Sequence, residues 1–327
     1  MSETQNALVI ENLTKNYGSN KVLKEISFNV KKGEILGFLG LNGAGKSTTM
    51  NIVTGCISPT SGSVTVCGHD VLNEPLLAKQ KIGYLPENPP LYFDMTVYEY
   101  LEFVYELKKS KLPRKEHLND IMERVQITHM AKRLIRNLSK GYKQRVGIAQ
   151  AMVGEPEILI LDEPTVGLDP KQIIEIRNLI RTLGQKHTVI LSTHILQEVS
   201  AVCDRVVIIS GGKIVAQNTI HGLEEESYDK DELTISVKST DENVENIIVS
   251  CANVMTATKI EPREEDTTRF VVKQNPGTDA RDELCTALAK GGYTIAELRC
   301  SAPTLEEIFI KYASMTQVVE EIDEKEE

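Results

Sequence analysis

No stretch of this chain approaches the ~20 consecutive apolar residues of a membrane-spanning helix, and its N-terminus carries no signal-peptide pattern. The chain is therefore expected to be soluble and cytoplasmic. Basic charge is also short: 37 Lys and Arg against 47 Asp and Glu leave a net charge of −10. That balance argues against the broad basic face on which general nucleic-acid binding depends. The six cysteines, at 56, 67, 203, 251, 285 and 300, form no C-x-x-C pair and no metal-like spacing, so they read as free thiols. What is present is a chain of 327 residues, 41% hydrophobic, long enough to bury a sizeable core and to form two domains.

The most specific pattern is Gly40-Leu41-Asn42-Gly43-Ala44-Gly45-Lys46-Ser47, a G-x-x-x-x-G-K-S segment. It lies between the apolar run Ile35–Leu39 and the helix-compatible stretch that begins at Thr48. This is the context of a phosphate-binding loop. Glycines let the backbone curl so that N–H groups from Asn42 to Thr48 point inward, and the following helix adds its positive end, so a polyphosphate meets oriented dipoles. Lys46 supplies a point charge, and Ser47 a hydroxyl for a magnesium ion bridging the β- and γ-phosphates.

That metal needs a carboxylate. Ile158-Leu159-Ile160-Leu161 reads as a strand buried on both faces of a parallel sheet, and it ends in Asp162-Glu163-Pro164. Asp162 is placed to hold magnesium beside the loop. Glu163 is expected to face the attacking water, where a carboxylate can orient and deprotonate it.

Between these segments lies Leu138-Ser139-Lys140-Gly141-Tyr142-Lys143-Gln144, opening a helical pattern. Here the set resembles the ATP-binding subunit of an ABC transporter, whose signature has the form L-S-G-G-Q. In that family two nucleotide-binding domains close face to face. The signature serine and second glycine of one then contact the γ-phosphate held by the other. Ser139 and Gly141 match those positions, while Lys140 and Tyr142 depart from the commonest form. A hydroxyl and a bare backbone N–H at a helix N-terminus suit an anion whatever the neighbours.

The resemblance extends over residues 1–222. Tyr17 matches the aromatic that stacks on adenine, Asp169 the D-loop residue through which two active sites sense one another, and His194 the switch histidine that reaches the γ-phosphate. Glu87 stands where the family usually has glutamine, in the loop that couples the catalytic metal to the membrane partner. Its carboxylate still offers oxygen to the metal or its water, and is expected to alter metal affinity or coupling without abolishing hydrolysis.

The implied fold is α/β, a P-loop NTPase of ABC type. It comprises a RecA-like core with a parallel sheet, an N-terminal antiparallel β part and a helical subdomain over about 88–150. Pro89-Pro90 opens that subdomain and Pro113 interrupts it. Its aromatic cluster, Tyr92, Phe93, Tyr98, Tyr100 and Phe103, serves as core or as a docking face, and helical spacing favours core.

A charged linker is expected over 223–230, followed by a small α+β accessory domain over 231–316. Its expected elements are a strand at Leu233–Lys238, a strand around Phe270–Val272, a helix from about Asp279 to Gly291-Gly292, a strand from Tyr293 to Leu298, and a last helix. That last helix opens with Thr304 and Glu307 in capping-box order. This layout is similar to the C-terminal extensions of ABC subunits paired with export-type permeases, including the gliding-motility and sodium-efflux groups. The acidic end, 317–327, reads as a solvated, disordered tail.

The resemblance implies an ATP- and Mg2+-dependent ATPase, peripheral on the inner face of the cell membrane. It would energise a separate multi-spanning permease together with a second ATP-binding subunit, most simply an identical copy, with export favoured and no nucleic acid expected. A DNA-repair ATPase of ABC type would carry a coiled coil or zinc insertion between Lys46 and Asp162, and none appears. A translation-associated member would hold two nucleotide domains in one chain. A non-catalytic nucleotide-gated module would lack Glu163 or His194.

Overall fold

The computed structural model describes residues 5–226, 232–241, 243–261, 266–300 and 309. It opens with a hairpin of β1 (Asn6–Tyr17) and β2 (Asn20–Lys31). In β2 the alternation of Leu23, Ile26, Phe28 and Val30 with exposed or half-buried residues gives one buried face. The chain continues through β3 (Ile35–Leu39), α1 (Lys46–Val53), β4 (Ser61–Val66), β5 (His69–Asp70), α2 (Pro75–Gln80) and β6 (Ile82–Leu85). Helices α3 (Val97–Leu107), α4 (Arg114–Arg124) and α5 (Lys140–Met152) follow. Then come β7 (Ile158–Asp162), α6 (Pro170–Gly184), β8 (Thr188–Thr193), α7 (Leu196–Val202), β9 (Arg205–Ser210), β10 (Lys213–Thr219) and α8 (Ile220–Glu226).

Six of these strands form one sheet in the order β10-β9-β3-β8-β7-β6, parallel except for β10 at its edge. Every residue of β3, β7 and β8 is buried, because alternate side chains feed two different cores. Phe38, Ile158, Ile160 and Ile190 pack with α1 and the antiparallel sheet β2-β1-β4-β5, where the Phe28 and Phe38 rings stack at 5.2 Å. Leu159, Leu161, Val189 and Leu191 pack toward the helices on the other face. Two glycines permit the closest approaches. A Cβ on Gly37 would lie 2.7 Å from Val199 Cγ1 of α7, and one on Gly83 of β6 would collide with the carbonyl oxygen of Ala151 in α5. The second contact seats the helix that follows Ser139 directly against the sheet.

In the helical part α3 starts with a capping box: Thr96 N donates to Glu99 Oε2 at 2.8 Å and Glu99 N to Thr96 Oγ1 at 3.3 Å. Pro113 immediately precedes α4. The expectation of an aromatic core holds only for part of the cluster. Tyr100 is buried and Tyr98 and Phe103 are half-buried, but Tyr92 and Phe93 are exposed. The last two sit in the loop ahead of α3, where helical spacing has no meaning.

Contacts divide the chain into two compact units between Leu223 and Glu224. The residues read as the start of a linker differ from that expectation: Leu223 is buried and α8 runs to Glu226. The second unit contains β11 (Glu232–Val237), α9 (Asn243–Val249), β12 (Val254–Ile260), β13 (Thr268–Gln274), α10 (Arg281–Lys290) and β14 (Ile295–Cys300). Its antiparallel sheet has the order β12-β13-β11-β14, a β-α-β-β-α-β arrangement of ferredoxin-like type. Leu233, Ile235, Phe270, Val272, Leu284 and Leu288 form its core. The last helix expected from Thr304, apart from Phe309, and the acidic tail lie outside the described residues. Among the described residues no helix is long and apolar enough to cross a membrane.

Candidate functional site

The phosphate loop joins β3 to α1. Gly45 takes φ 109°, a left-handed backbone that a side chain would strain, and directs Lys46 into the first turn of α1. Thr49 closes that turn twice, its N–H and its hydroxyl both bonding to Gly45 O at 2.9 Å. Lys46 Nζ, 6% exposed, donates to Gly40 O at 2.8 Å and Leu41 O at 3.3 Å, so the loop's own carbonyls hold the ammonium in place.

A cavity of about 550 Å³ opens over this loop. Asn42, Gly43, Gly45, Lys46, Ser47 and Thr48 form its floor, and Glu87, Glu163 and His194 enter from the ends of β6, β7 and β8. Ala44, in the same loop, is buried and does not line the cavity. The volume suits a nucleotide-sized ligand. Glu163, 7% exposed, has φ 48°, an uncommon backbone for a non-glycine residue. Its Oε1 lies 2.9 Å from His194 Nδ1 and 3.6 Å from Lys46 Nζ, and its Oε2 3.2 Å from Thr193 Oγ1. An ionised carboxylate only accepts, so His194 Nδ1 carries a proton and the ring's second nitrogen is the one available to the cavity.

Asp162, the last residue of β7, is 2% exposed. Burial pushes its carboxyl above the usual carboxylate range, and the charge of Glu163 next to it adds to this. The hydroxyls of Ser192, across the β7–β8 register, and Ser47 lie near enough to offset part of that rise, but neither Asp162 Oδ1 nor Ser192 Oγ has a hydrogen bond of good geometry. A buried carboxylate oxygen without a partner is costly unless a cation meets it. Oxygen donors from Asp162, Ser47 and Glu87 fit a hard divalent ion such as Mg2+, which binds through one or two carboxylates and keeps water and phosphate in its remaining positions. No cluster of three or more His, Cys, Asp or Glu side chains suited to a metal occurs among the described residues.

The other sequence-derived residues gather elsewhere in the same unit. A second cavity, about 500 Å³, is lined by Ser139, Gly141, Tyr142, Asp169 and Gln172. Ser139 caps α5 by accepting from Tyr142 N at 3.4 Å, and Asp169 caps α6 by accepting from Gln172 N at 2.9 Å. The departures from the usual signature have local partners. Tyr142 OH lies 3.2 Å from His129 Nε2, and the Lys140 side chain lies against Gly167. Arg145 Nη2 to Glu175 Oε2, 2.8 Å, ties α5 to α6. Tyr17 stands at the hairpin end, 52% exposed, with Lys15 Nζ 5.0 Å from its ring centre.

Sequence reasoning missed Glu198. This α7 residue is 1% exposed and bonds to Thr165 Oγ1 and, at 3.0 Å, to Thr193 Oγ1. Burial raises its carboxyl to about 7. An acidic residue in a seven-residue helix reads as surface, and the only sequence signal is its position between apolar Leu196 and Val199.

The ABC transporter family profile matches residues 23–166. An uncharacterized ABC transporter ATP-binding protein of Bacillus subtilis (strain 168), YxlF, is 33% identical over 305 residues, 93% of this chain and 98% of that protein. The bacitracin transport ATP-binding protein BcrA of Bacillus licheniformis is 41% identical over 207 residues, 63% of this chain and 67% of BcrA. Among solved structures, the dimeric post-hydrolysis state of the ATP-binding cassette MJ0796 bound to ADP and Pi superposes with a TM-score of 0.59 at 26% identity, covering 65% of this chain and 98% of the cassette. Two cavities, one built on a phosphate loop and one on a serine-capped helix, thus lie in a fold shared with cassettes that hold ADP and Pi. The chain belongs to the ABC transporter ATP-binding proteins and is an ATPase of that family.

Proposed function

We propose that this chain hydrolyses ATP, with Mg2+, to drive a separate multi-spanning permease in the export direction, as one of two copies docked at the inner face of the cell membrane. The observation that carries this reading is the convergence of Lys46, Glu163 and His194 on the phosphate-loop cavity. Lys46 and the loop amides bind the β- and γ-phosphates, and Tyr17 offers a ring for the base. Glu163 accepts a proton from the attacking water, a role typically contributing about 10²–10⁴-fold. His194, oriented by its bond to Glu163, presents its second nitrogen to the γ-phosphate. Asp162, Ser47 and Glu87 hold the metal, which when bound neutralises charge developing on the phosphates.

Ser139 and Gly141 line a cavity apart from the phosphate loop; in the proposed pair they would bring a hydroxyl and an amide to the γ-phosphate of the ATP bound over the other copy's Lys46. Asp169, in the same cavity, then stands at the junction of the two copies. Nucleotide adds differential binding energy to the closed pair, and hydrolysis removes it. Export is favoured by likeness to the lipopolysaccharide export system ATP-binding protein LptB of Haemophilus influenzae, 37% identical over 217 residues.

The test is Glu163→Gln. The variant is expected to bind ATP, stop turning over and run as a dimer on size exclusion in ATP. A variant that stays monomeric or hydrolyses at the native rate overturns the reading. Capture of the full chain from detergent-solubilised membranes is expected to bring down a multi-spanning protein, and purely soluble partners would count against the permease.

A further inference from the structure

Behind the phosphate-loop cavity, Glu163 belongs to a chain of groups that the hydrolysis scheme above does not use. Thr193 Oγ1 lies 3.2 Å from Glu163 Oε2 and 3.0 Å from Glu198 Oε2, and it accepts from Ile195 N at 3.1 Å. Glu198 Oε1 in turn accepts from Thr165 Oγ1, two residues past Glu163. All four side chains are buried.

One hydroxyl has one proton, and here two carboxyl groups compete for it. If both acids were ionised, one buried oxygen would face the Thr193 oxygen with no hydrogen between them. With a proton on Glu198 the chain is complete. Thr165 donates to Glu198 Oε1, Glu198 Oε2–H donates to Thr193, and Thr193 donates to Glu163. Thr193 then uses one proton and two lone pairs, and every group is satisfied. Burial favours that neutral form, raising the Glu198 carboxyl to about 7. Among charged neighbours, Arg177 of α6 and His194 oppose the rise, Glu163 reinforces it, and Cys203 lies beyond the end of α7.

We infer that Glu198 is a positioning residue for Glu163, fixing the rotamer and hydrogen-bond load of that carboxylate through Thr193 and holding its flank through Thr165. The inference rests on the reading of Glu163 as the group that activates water. Thr193 occupies one oxygen, Oε2, and so leaves Oε1 on the side of Lys46 and His194. Without Glu198, Thr193 is free to turn its proton elsewhere and the carboxylate loses its fixed orientation. Misplacement of a catalytic group costs turnover rather than ground-state affinity.

The experiment is steady-state ATP hydrolysis by the full-length chain with Mg2+, with ATP binding measured in parallel and folding checked by circular dichroism. Glu198→Ala is expected to lower kcat about 10- to 100-fold while KM and the ATP Kd stay within about threefold. Glu198→Gln keeps a donor for Thr193 and an acceptor for Thr165, and is expected to recover most of the turnover lost in Glu198→Ala. Thr193→Val is expected to match Glu198→Ala, and the double variant to be no worse than the poorer single one.

A native kcat in Glu198→Ala, a parallel loss of ATP affinity, or a Glu198→Gln as poor as Glu198→Ala each overturns the inference. Should Glu198→Ala not fold, Thr193→Val and Glu198→Gln decide by the same criteria. Glu163→Gln, measured beside them, separates the two readings. If it turns over normally, the assignment of Glu163 fails. If it is inactive while Glu198→Ala is native, the positioning role alone fails.

Discussion

Lys46 Nζ and Glu163 Oε1 lie 3.6 Å apart with both side chains buried, so the cation of the phosphate loop and the acid at the end of β7 are charge partners within one cavity. The pair joins two sequence motifs more than a hundred residues apart, and each partner restrains the other in a place that water reaches poorly. Removing one member of a buried pair leaves an uncompensated charge, which costs more than the pair itself contributes.

Lys46→Ala is therefore expected to do two separate things: abolish ATP binding and destabilise the nucleotide-free chain by roughly 1–3 kcal/mol. Adding Glu163→Gln to Lys46→Ala removes the stranded charge, and most of that loss should be regained. A double-mutant cycle of thermal unfolding in the absence of nucleotide checks this. Strictly additive effects would show that the two groups do not interact.

How much of this site was legible in the sequence depended on how local each signal was. The G-x-x-x-x-G-K-S spacing between an apolar run and a helix-compatible stretch marked a phosphate loop leading into α1, and the continuous apolar run at Ile158–Leu161 marked a strand buried on both faces. These patterns need only a few neighbours to be read. The Lys46–Glu163 pair and the Thr165–Glu198–Thr193 chain depend on the parallel pairing of β7 with β8 and on α7 returning over them, which no local pattern encodes. In the second unit α9 and β12 went unforeseen. In α9 only Val244 and Ile248 are buried, and β12 is an edge strand whose middle residues are largely exposed, so neither shows strong periodicity.

Glu198 also makes a prediction about stability and pH. Its carboxyl is raised to about 7 in the folded chain from an ordinary value near 4.5. Below that ordinary value both folded and unfolded chains hold the proton. Between the two values the unfolded chain has released it and the folded chain has not, so stability falls as pH rises toward 7 and is level above it. Glu198→Gln removes this ionisation. Relative to the native chain, the variant should gain little at pH 5 and on the order of 1–3 kcal/mol at pH 8. Differential thermal unfolding at the two pH values measures it, and an equal shift at both would exclude a neutral Glu198.

Glu87 follows β6 and lines the phosphate-loop cavity as an exposed residue, whereas Glu163 on the same cavity is buried. As an exposed carboxylate it can give an oxygen to a metal or to the metal's water, but water also solvates it well, so each interaction with it is weak. Its contribution to magnesium binding is electrostatic: one extra negative charge within the cavity, screened by salt. Glu87→Gln keeps an oxygen acceptor and loses the charge. The expected outcome is a severalfold higher magnesium concentration for half-maximal hydrolysis, with a rate at saturating magnesium that remains within an order of magnitude of the native one. The difference should shrink as ionic strength rises. Magnesium titrations of ATP hydrolysis at low and high salt decide it. If neither the magnesium dependence nor the rate changes, the Glu87 carboxylate plays no part at the metal.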